Sequence, residues 1–228
     1  MPEFYFLRPS LLSTRCELCG DVGYFSSCVC DPCLSDLPRL KDHCSRCGMV
    51  LPQYADTCGN CITTIWYADL TICPFQYHYP LDRLIQKIKY QDCLRLVSPL
   101  TKKLVSCLTQ NTLPEALIPV PLHPYRLYSR GFNQSVEICK ILNDCLGIKV
   151  ITDLIVRTRN TKPMFELGAK QRSRNIRDAF RLTRPLGYRS VAIVDDVITS
   201  GATANELALL LKQAGASRIE FWALARSG

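Results

Sequence analysis

Two adjacent carboxylates, Asp195 and Asp196, stand just ahead of a hydroxyl-rich stretch, Thr199-Ser200-Gly201-Ala202-Thr203. The hydroxyls, a glycine that lets the backbone come close, and the free N–H groups of a following helix make an anion site suited to a phosphate monoester. Carboxylates repel a phosphate, so the acidic pair is better suited to accepting hydrogen bonds from sugar hydroxyls beside it. A phosphorylated sugar satisfies both halves.

Holding these groups in place takes a strand and a helix. Val191-Ala192-Ile193-Val194 is a short β-favouring apolar run that reads as a strand buried on both faces, ending at the two acids. From Ala202 the pattern turns helical, with Leu207, Leu210, Leu211 and Ala214 on one stripe and Gly215 just past the last turn. The stretch 191–203 resembles the phosphoribosyl-pyrophosphate (PRPP) motif of type I phosphoribosyltransferases. That resemblance implies that Asp195 and Asp196 hold the ribose hydroxyls at a catalytic site. It also implies that Thr199, Ser200, Gly201, Ala202 and Thr203 wrap the 5′-phosphate, with Mg²⁺ accompanying PRPP.

The 14 cysteines of the 228-residue chain are unevenly spread. Cys16, Cys19, Cys30 and Cys33 recur 28 residues later as Cys44, Cys47, Cys58 and Cys61, both sets spaced C-x2-C-x10-C-x2-C. Each C-x2-C turn puts two thiolates on one edge of a metal, and two turns complete a tetrahedral site. The glycines that follow, Gly20 and Gly48, suit tight turns with unusual dihedrals. The expectation is two closed structural Zn²⁺ ribbons in series. A crossed pairing, or a single filled site, fits the spacing as well. Redox pairs are the rival reading, but no strand-and-helix context surrounds them. Cys28 reads as a spare thiol and His43 as a surface residue.

No basic leader with an apolar core stands near the N-terminus, and no stretch is long enough to span a membrane, so a cytoplasmic protein is expected. The net charge of +8 belongs to the second part, because residues 1–64 hold five Lys/Arg against seven Asp/Glu. Residues 157–189 hold ten Lys/Arg, opposed only by Glu166 and Asp178. Such a stretch calls for an anionic partner. Within it Arg172, Arg174 and Arg177 are the candidate nucleic-acid contacts.

Between the ribbons and the phosphate stretch, Ile65-Trp66-Tyr67 and Tyr77-His78-Tyr79 read as strands. A helix follows, with Leu81, Leu84, Ile85 and Ile88 inward and Lys87 and Lys89 outward, then a second helix over roughly 93–108. Ala116 to Pro121 reads as a buried strand. It feeds a loop over 122–134 in which Arg130 and Gly131 suit a pyrophosphate, with His123 in a structural role. The next helix, Ser135 to Leu146, offers Val136, Ile138, Ile141, Leu142 and Cys145 for packing, before a strand over Lys149 to Thr158. Ile219 to Leu224 closes the chain as a buried strand.

These segments divide into a zinc-ribbon domain over 1–64 and an α/β domain over 65–228. Together they resemble the ComF/GntX-like competence protein F family, through Ile118-Pro119-Val120-Pro121, Arg130-Gly131-Phe132-Asn133-Gln134, Arg172-x-x-Asn175, Ala179-Phe180 and 191–203. The resemblance implies a type I phosphoribosyltransferase fold, a mostly parallel sheet flanked by helices, and a lysine at position 89 facing the ligand cleft. It implies a part in natural transformation, handling incoming single-stranded DNA alongside competence-machinery partners such as a helicase, at the inner face of the membrane. Active phosphoribosyl transfer from PRPP is the alternative. The chain departs from the family at Met164, where a glutamine is usual.

Overall fold

The computed structural model describes residues 13–23, 27–51, 55–108, 112–159 and 176–228. Thr161 to Met164, Gln171, Arg172, Arg174, Asn175, Tyr24 and Tyr54 lie outside them.

The longest apolar strand pattern sits at the centre of the sheet. Strand β9 (Ser190–Ile198) runs between β10 (Arg218–Arg226) and β5 (Ala116–Pro119), all parallel. Outside β5 lies β6 (Lys149–Val150), also parallel. Outside β10, β3 (Leu70–Ile72) and β4 (Phe75–Gln76) follow one another along the same parallel edge. A sheet with helices on both faces needs strands apolar on both sides. Accordingly Ala192, Val194, Trp222 and Leu224 face one core, and Val191, Ile193, Phe221 and Ala223 face the other.

The first core is completed by α3 (Leu81–Tyr90), α4 (Val97–Leu108) and α6 (Gln134–Leu146). The second takes α7 (Ala202–Gln213) and a small antiparallel pair, β7 (Ile155–Arg157) with β8 (Phe180–Leu182). The cysteine repeats divide between these cores. Cys16 and Cys30, with the hairpin β1 (Thr14–Arg15)/β2 (Val22–Gly23) and helix α1 (Asp31–Ser35) around them, belong to the first. Cys44, Cys47, Cys58 and Cys61, with α2 (Gly59–Thr63), belong to the second.

Several local expectations are corrected. Strand β9 does not stop at the acids but continues past them to Ile198, because β10 keeps pairing with it as far as Arg226. The strands predicted at 65–67 and 77–79 form instead at 70–72 and 75–76. The Tyr67 N–H is taken by the side chain of Asn205 at 2.8 Å, and His78 turns the chain toward α3. The strand expected over 149–158 is two short ones in different sheets, separated by a bend at 152–154. The helix expected from 93 opens with a tight 3₁₀ turn, Leu94–Leu96, ahead of α4. The loop at 122–134 contains helix α5 (Pro124–Arg130), since Pro124 suits its first turn and His123 accepts from the Tyr125 N–H at its start. On α6 the packing cysteine is Cys139, whereas Cys145 is exposed.

Candidate functional site: a cleft at the carboxyl ends of the strands

The sheet presents its chemistry near the carboxyl ends of β5 and β9, where ligands of open parallel sheets bind. A cleft of about 690 Å³ opens there. Of the residues singled out from the sequence, Lys89, Arg130, Asp195, Asp196, Thr199, Gly201 and Thr203 line it. Ser200 and Ala202 belong to the same loop without lining the cleft, and the Ser200 hydroxyl accepts from the Ala202 N–H at 3.4 Å. Gly131 stands apart: exposed, with φ 79°, it ends α5 in a left-handed cap. Arg177 is exposed on the turn before β8, and its carbonyl accepts from Arg159 at 2.6 Å.

The two acids point to different partners, as neighbours on a strand must. Asp195 accepts from the Ser135 hydroxyl at 3.0 Å and from the Asp196 N–H at 2.9 Å. Burial, then the adjacent Asp196 carboxylate, pushes the Asp195 carboxyl up to about 7. Asp196 is 9% exposed and pairs with Lys89, Nζ to Oδ2, at 2.8 Å. Lys89 therefore does not lie on a solvated helix face but reaches into the cleft. Burial disfavours its charge, yet Asp196 and Asp195 outweigh that and hold its ammonium above the usual lysine range. Lys87, the other lysine expected outward, pairs with Glu17 of the first cysteine hairpin at 2.6 Å.

The 199–203 loop is shaped from behind. Gly201 has φ 76°, and a Cβ there would lie 2.6 Å from the Trp66 ring, so only glycine fits. Asn205, one turn into α7, donates to the Ile65 carbonyl at 3.1 Å while accepting from Tyr67, and so ties the 65–67 segment to this loop. Arg226, 1% exposed, donates to the Cys47 carbonyl at 3.0 Å, the Ile198 carbonyl at 3.2 Å, and the carbonyls of Thr199 and Ser227. One guanidinium thus joins a cysteine turn to the 199–203 loop.

Two more lining residues, Arg126 and Gln134, belong to the 122–134 stretch expected to suit a pyrophosphate, whereas sequence reasoning missed Tyr77, Gln86, Tyr90, Ser135 and Arg157. Arg157 is 9% exposed and sits over the Phe180 ring at 5.6 Å; burial first, then Arg126, depresses its guanidinium to about 10. Its only signal was membership of the basic stretch. The α3 residues had a findable one, since Gln86, Lys89 and Tyr90 fall at i, i+3 and i+4 and must share a face.

The cysteines gather in the sequential sets, Cys16/Cys19/Cys30/Cys33 and Cys44/Cys47/Cys58/Cys61, with the sulfurs of each set within 4.8 Å of one another. Four soft donors so close, in two knuckle turns, suit tetrahedral zinc. Backbone geometry agrees. The Leu18 and Cys30 N–H groups point at Cys16 Sγ, at 3.5 and 3.4 Å. Burial opposes ionisation, but N–H donors outweigh it and bring Cys16 down to about 6 and Cys44 to about 7. Cys28 is no member of either set, and its thiol donates to the Arg95 carbonyl at 3.3 Å. Among the described residues no helix is long and apolar enough to cross a membrane.

A parallel α/β sheet with an acidic cleft, edged by a hydroxyl-bearing loop, at its strand ends and two tetra-cysteine clusters defines the class of this protein. The chain is 34% identical to "Competence protein F" of Haemophilus influenzae over 223 residues, 93% of this chain and 97% of that one. It is also 34% identical to "DNA utilization protein YhgH" of Escherichia coli O157:H7 over 207 residues, 87% of this chain and 90% of that one. "Competence protein ComFC" of Streptococcus pneumoniae matches at 23% across 93% of this chain and all of that one. The protein belongs to the competence protein F family. No family model matches it. Among solved structures it is similar to a purine phosphoribosyltransferase from Pyrococcus horikoshii, at TM-score 0.31 and 20% identity over 68% of this chain and 76% of that one.

Proposed function

We propose that this is a cytoplasmic competence protein that handles single-stranded DNA and is built around a cleft for ribose 5-phosphate or PRPP. The observation that carries the cleft assignment is the joint placement of Asp195, Asp196, Lys89 and the 199–203 loop in one cavity. The helix start at α7, with the Thr199 and Thr203 hydroxyls, suits a 5′-phosphate. The acidic pair suits the ribose hydroxyls. Kinship with proteins named for competence and DNA utilization supports the DNA role, as does the basic balance of residues 65–228. The contacts of this reading are Arg172, Arg174 and Arg177, the last of them exposed, and loss of phosphate contacts would flatten the salt dependence of DNA binding. Helicase contact and attachment at the inner membrane face belong to this reading.

A second reading, transfer of a phosphoribosyl group from PRPP, is favoured by one observation. Arg126, Arg130 and Arg157 line the same cleft as the aspartates, where guanidinium forks can balance the negative charge of departing pyrophosphate. Mg²⁺, supplied with PRPP, would share that charge. The cleft offers carboxylates for such an ion, one of them already paired with Lys89.

The test is PRPP binding and pyrophosphate release by the metal-loaded protein across a panel of nucleobases and amines, with D195N/D196N as control. Binding lost in the double variant supports the cleft, and variant-sensitive release makes the protein a transferase. Equal binding by both proteins overturns the assignment.

A further inference from the structure

The outer face of α3 carries groups that its packing does not use. Leu81, Leu84, Ile85 and Ile88 are buried in the first core, which leaves Arg83, Gln86 and Tyr90 exposed on the opposite stripe. Arg83 and Tyr90 are seven residues apart, nearly two full turns, so they lie in line about 10 Å apart along the helix axis. Tyr79, just ahead of the helix, and Tyr90, in its last turn, are each 67% exposed. Each ring has a guanidinium over it. Arg83 lies 5.2 Å from the Tyr79 centroid, and Arg130, at the end of α5, lies 5.7 Å from that of Tyr90. The surface therefore carries ring and cation in alternation: Tyr79, Arg83, Tyr90, Arg130.

Charge pairing sets these two arginines apart from the lysines beside them. Lys87 is paired with Glu17 at 2.6 Å and Lys89 with Asp196 at 2.8 Å. Arg83 and Arg130 have no acidic partner among the described residues. The single acid of α3, Asp82, is turned back on the helix start, where it accepts the Arg83 N–H at 2.7 Å. A guanidinium over a ring and without a carboxylate keeps its N–H groups for a phosphate, while the exposed ring keeps a face for a base.

Resting on the DNA role proposed above, we propose that this row on the outer face of α3 seats a single strand of DNA, with bases on Tyr79 and Tyr90 and phosphates on Arg83 and Arg130. Exposed rings alternating with unneutralised cations meet the two repeating parts of such a strand, and stacking is tolerant of sequence because every base has a π-face. The axial distance between Arg83 and Tyr90 exceeds the rise of one base step, about 3.4 Å, so the two rings serve different nucleotides. A duplex keeps its bases stacked on one another and offers the rings nothing. A lipid surface would call for apolar side chains in the row, and the residue between Arg83 and Tyr90 on this stripe is the amide Gln86.

The experiment is fluorescence anisotropy of the metal-loaded protein with a labelled oligothymidylate of about 20 nucleotides and with the matching duplex, across a salt series, for the parent, Y79A, Y79F, Y90A and R83Q. The parent should bind the single strand at least about 10-fold more tightly than the duplex. Y79A and Y90A should each weaken single-strand binding about 5-fold or more at an unchanged salt slope, with Y79F binding as the parent does. R83Q should reduce the slope of log affinity against log salt by about 0.7, the share of one phosphate contact. Parent-like binding by Y79A, Y90A and R83Q, or equal binding of strand and duplex, overturns the row while leaving the DNA role in place. No binding of the strand by the parent at low salt overturns the DNA role as well. Loss of binding to phosphatidylglycerol vesicles in Y79A, with oligothymidylate binding intact, would give this face to a membrane and overturn the proposal.

Discussion

The Lys89 ammonium lies 2.8 Å from Asp196 Oδ2, so a positive charge on α3 sits against the second of the two adjacent acids. The pair also ties α3 to β9, which brings the helix face carrying Tyr90 over the acids. Deleting one charge leaves the other buried without compensation. K89M is expected to lower unfolding free energy by about 2 to 4 kcal/mol in urea titrations. K89M/D196L should recover much of that loss, and a single variant as stable as the parent would mean that the pair is screened by solvent.

Asp195 sets a pH dependence. Its carboxyl is raised from 3.8 to about 7, so between these values the folded protein holds a proton that the unfolded chain has released. Folding stability from this group is full below about pH 4 and is lost as pH rises through 7, by up to about 4 kcal/mol. Thermal unfolding measured from pH 5 to 8 should show a decline that D195N flattens. Identical pH profiles for the two proteins would contradict the raised carboxyl.

Gly201 and Trp66 can be tested together. G201A introduces a Cβ at φ 76° and 2.6 Å from the Trp66 ring. Left-handed strain alone costs on the order of 1 kcal/mol, and the steric clash adds to it. G201A should melt well below the parent, with W66L restoring the clash component but not the strain. Strict additivity of the two changes in a double-mutant cycle would show that the contact is not felt.

The cysteine sets predict metal content. Two zinc ions per chain are expected by elemental analysis, falling to one in C47S or C19S. Removing zinc from the second set should raise hydrogen exchange across 199–203, because Arg226 joins the Cys47 carbonyl to that loop. Unchanged exchange there would uncouple the two.

How far the sequence spoke depended on whether the signal was local. The cysteine sets, the apolar strand core 191–194 and the helix after Gly201 follow from spacing and periodicity within one segment, and each formed where it was read. The segments that moved did so because of distant partners. The Tyr67 backbone is captured by Asn205 rather than by a strand, and β9 runs past its acids because β10 pairs with it to Arg226. The 122–134 stretch held its own signal, Pro124 followed by Gly131, which marks a short helix more than a loop. In the cleft, Asp195, Asp196 and the loop were legible as one contiguous motif. Arg157 and Ser135 were not, since only the tertiary fold brings β7 and the start of α6 to the cleft that the acids line.

The Arg226 guanidinium also bears on how the protein can be dissected. It lies between a cysteine turn and the phosphate loop, while the Thr71 hydroxyl donates to the Arg46 carbonyl at 2.5 Å and Arg46 in turn donates to the Trp66 carbonyl. A fragment cut at residue 65 would leave a buried cation behind the 199–203 loop with one acceptor gone and no turn to seat it. A cysteine region transplanted from a relative would have to bring a backbone that offers the same carbonyl. Exchanging either half of the chain between relatives should therefore succeed only when its fit to Arg226 travels with it.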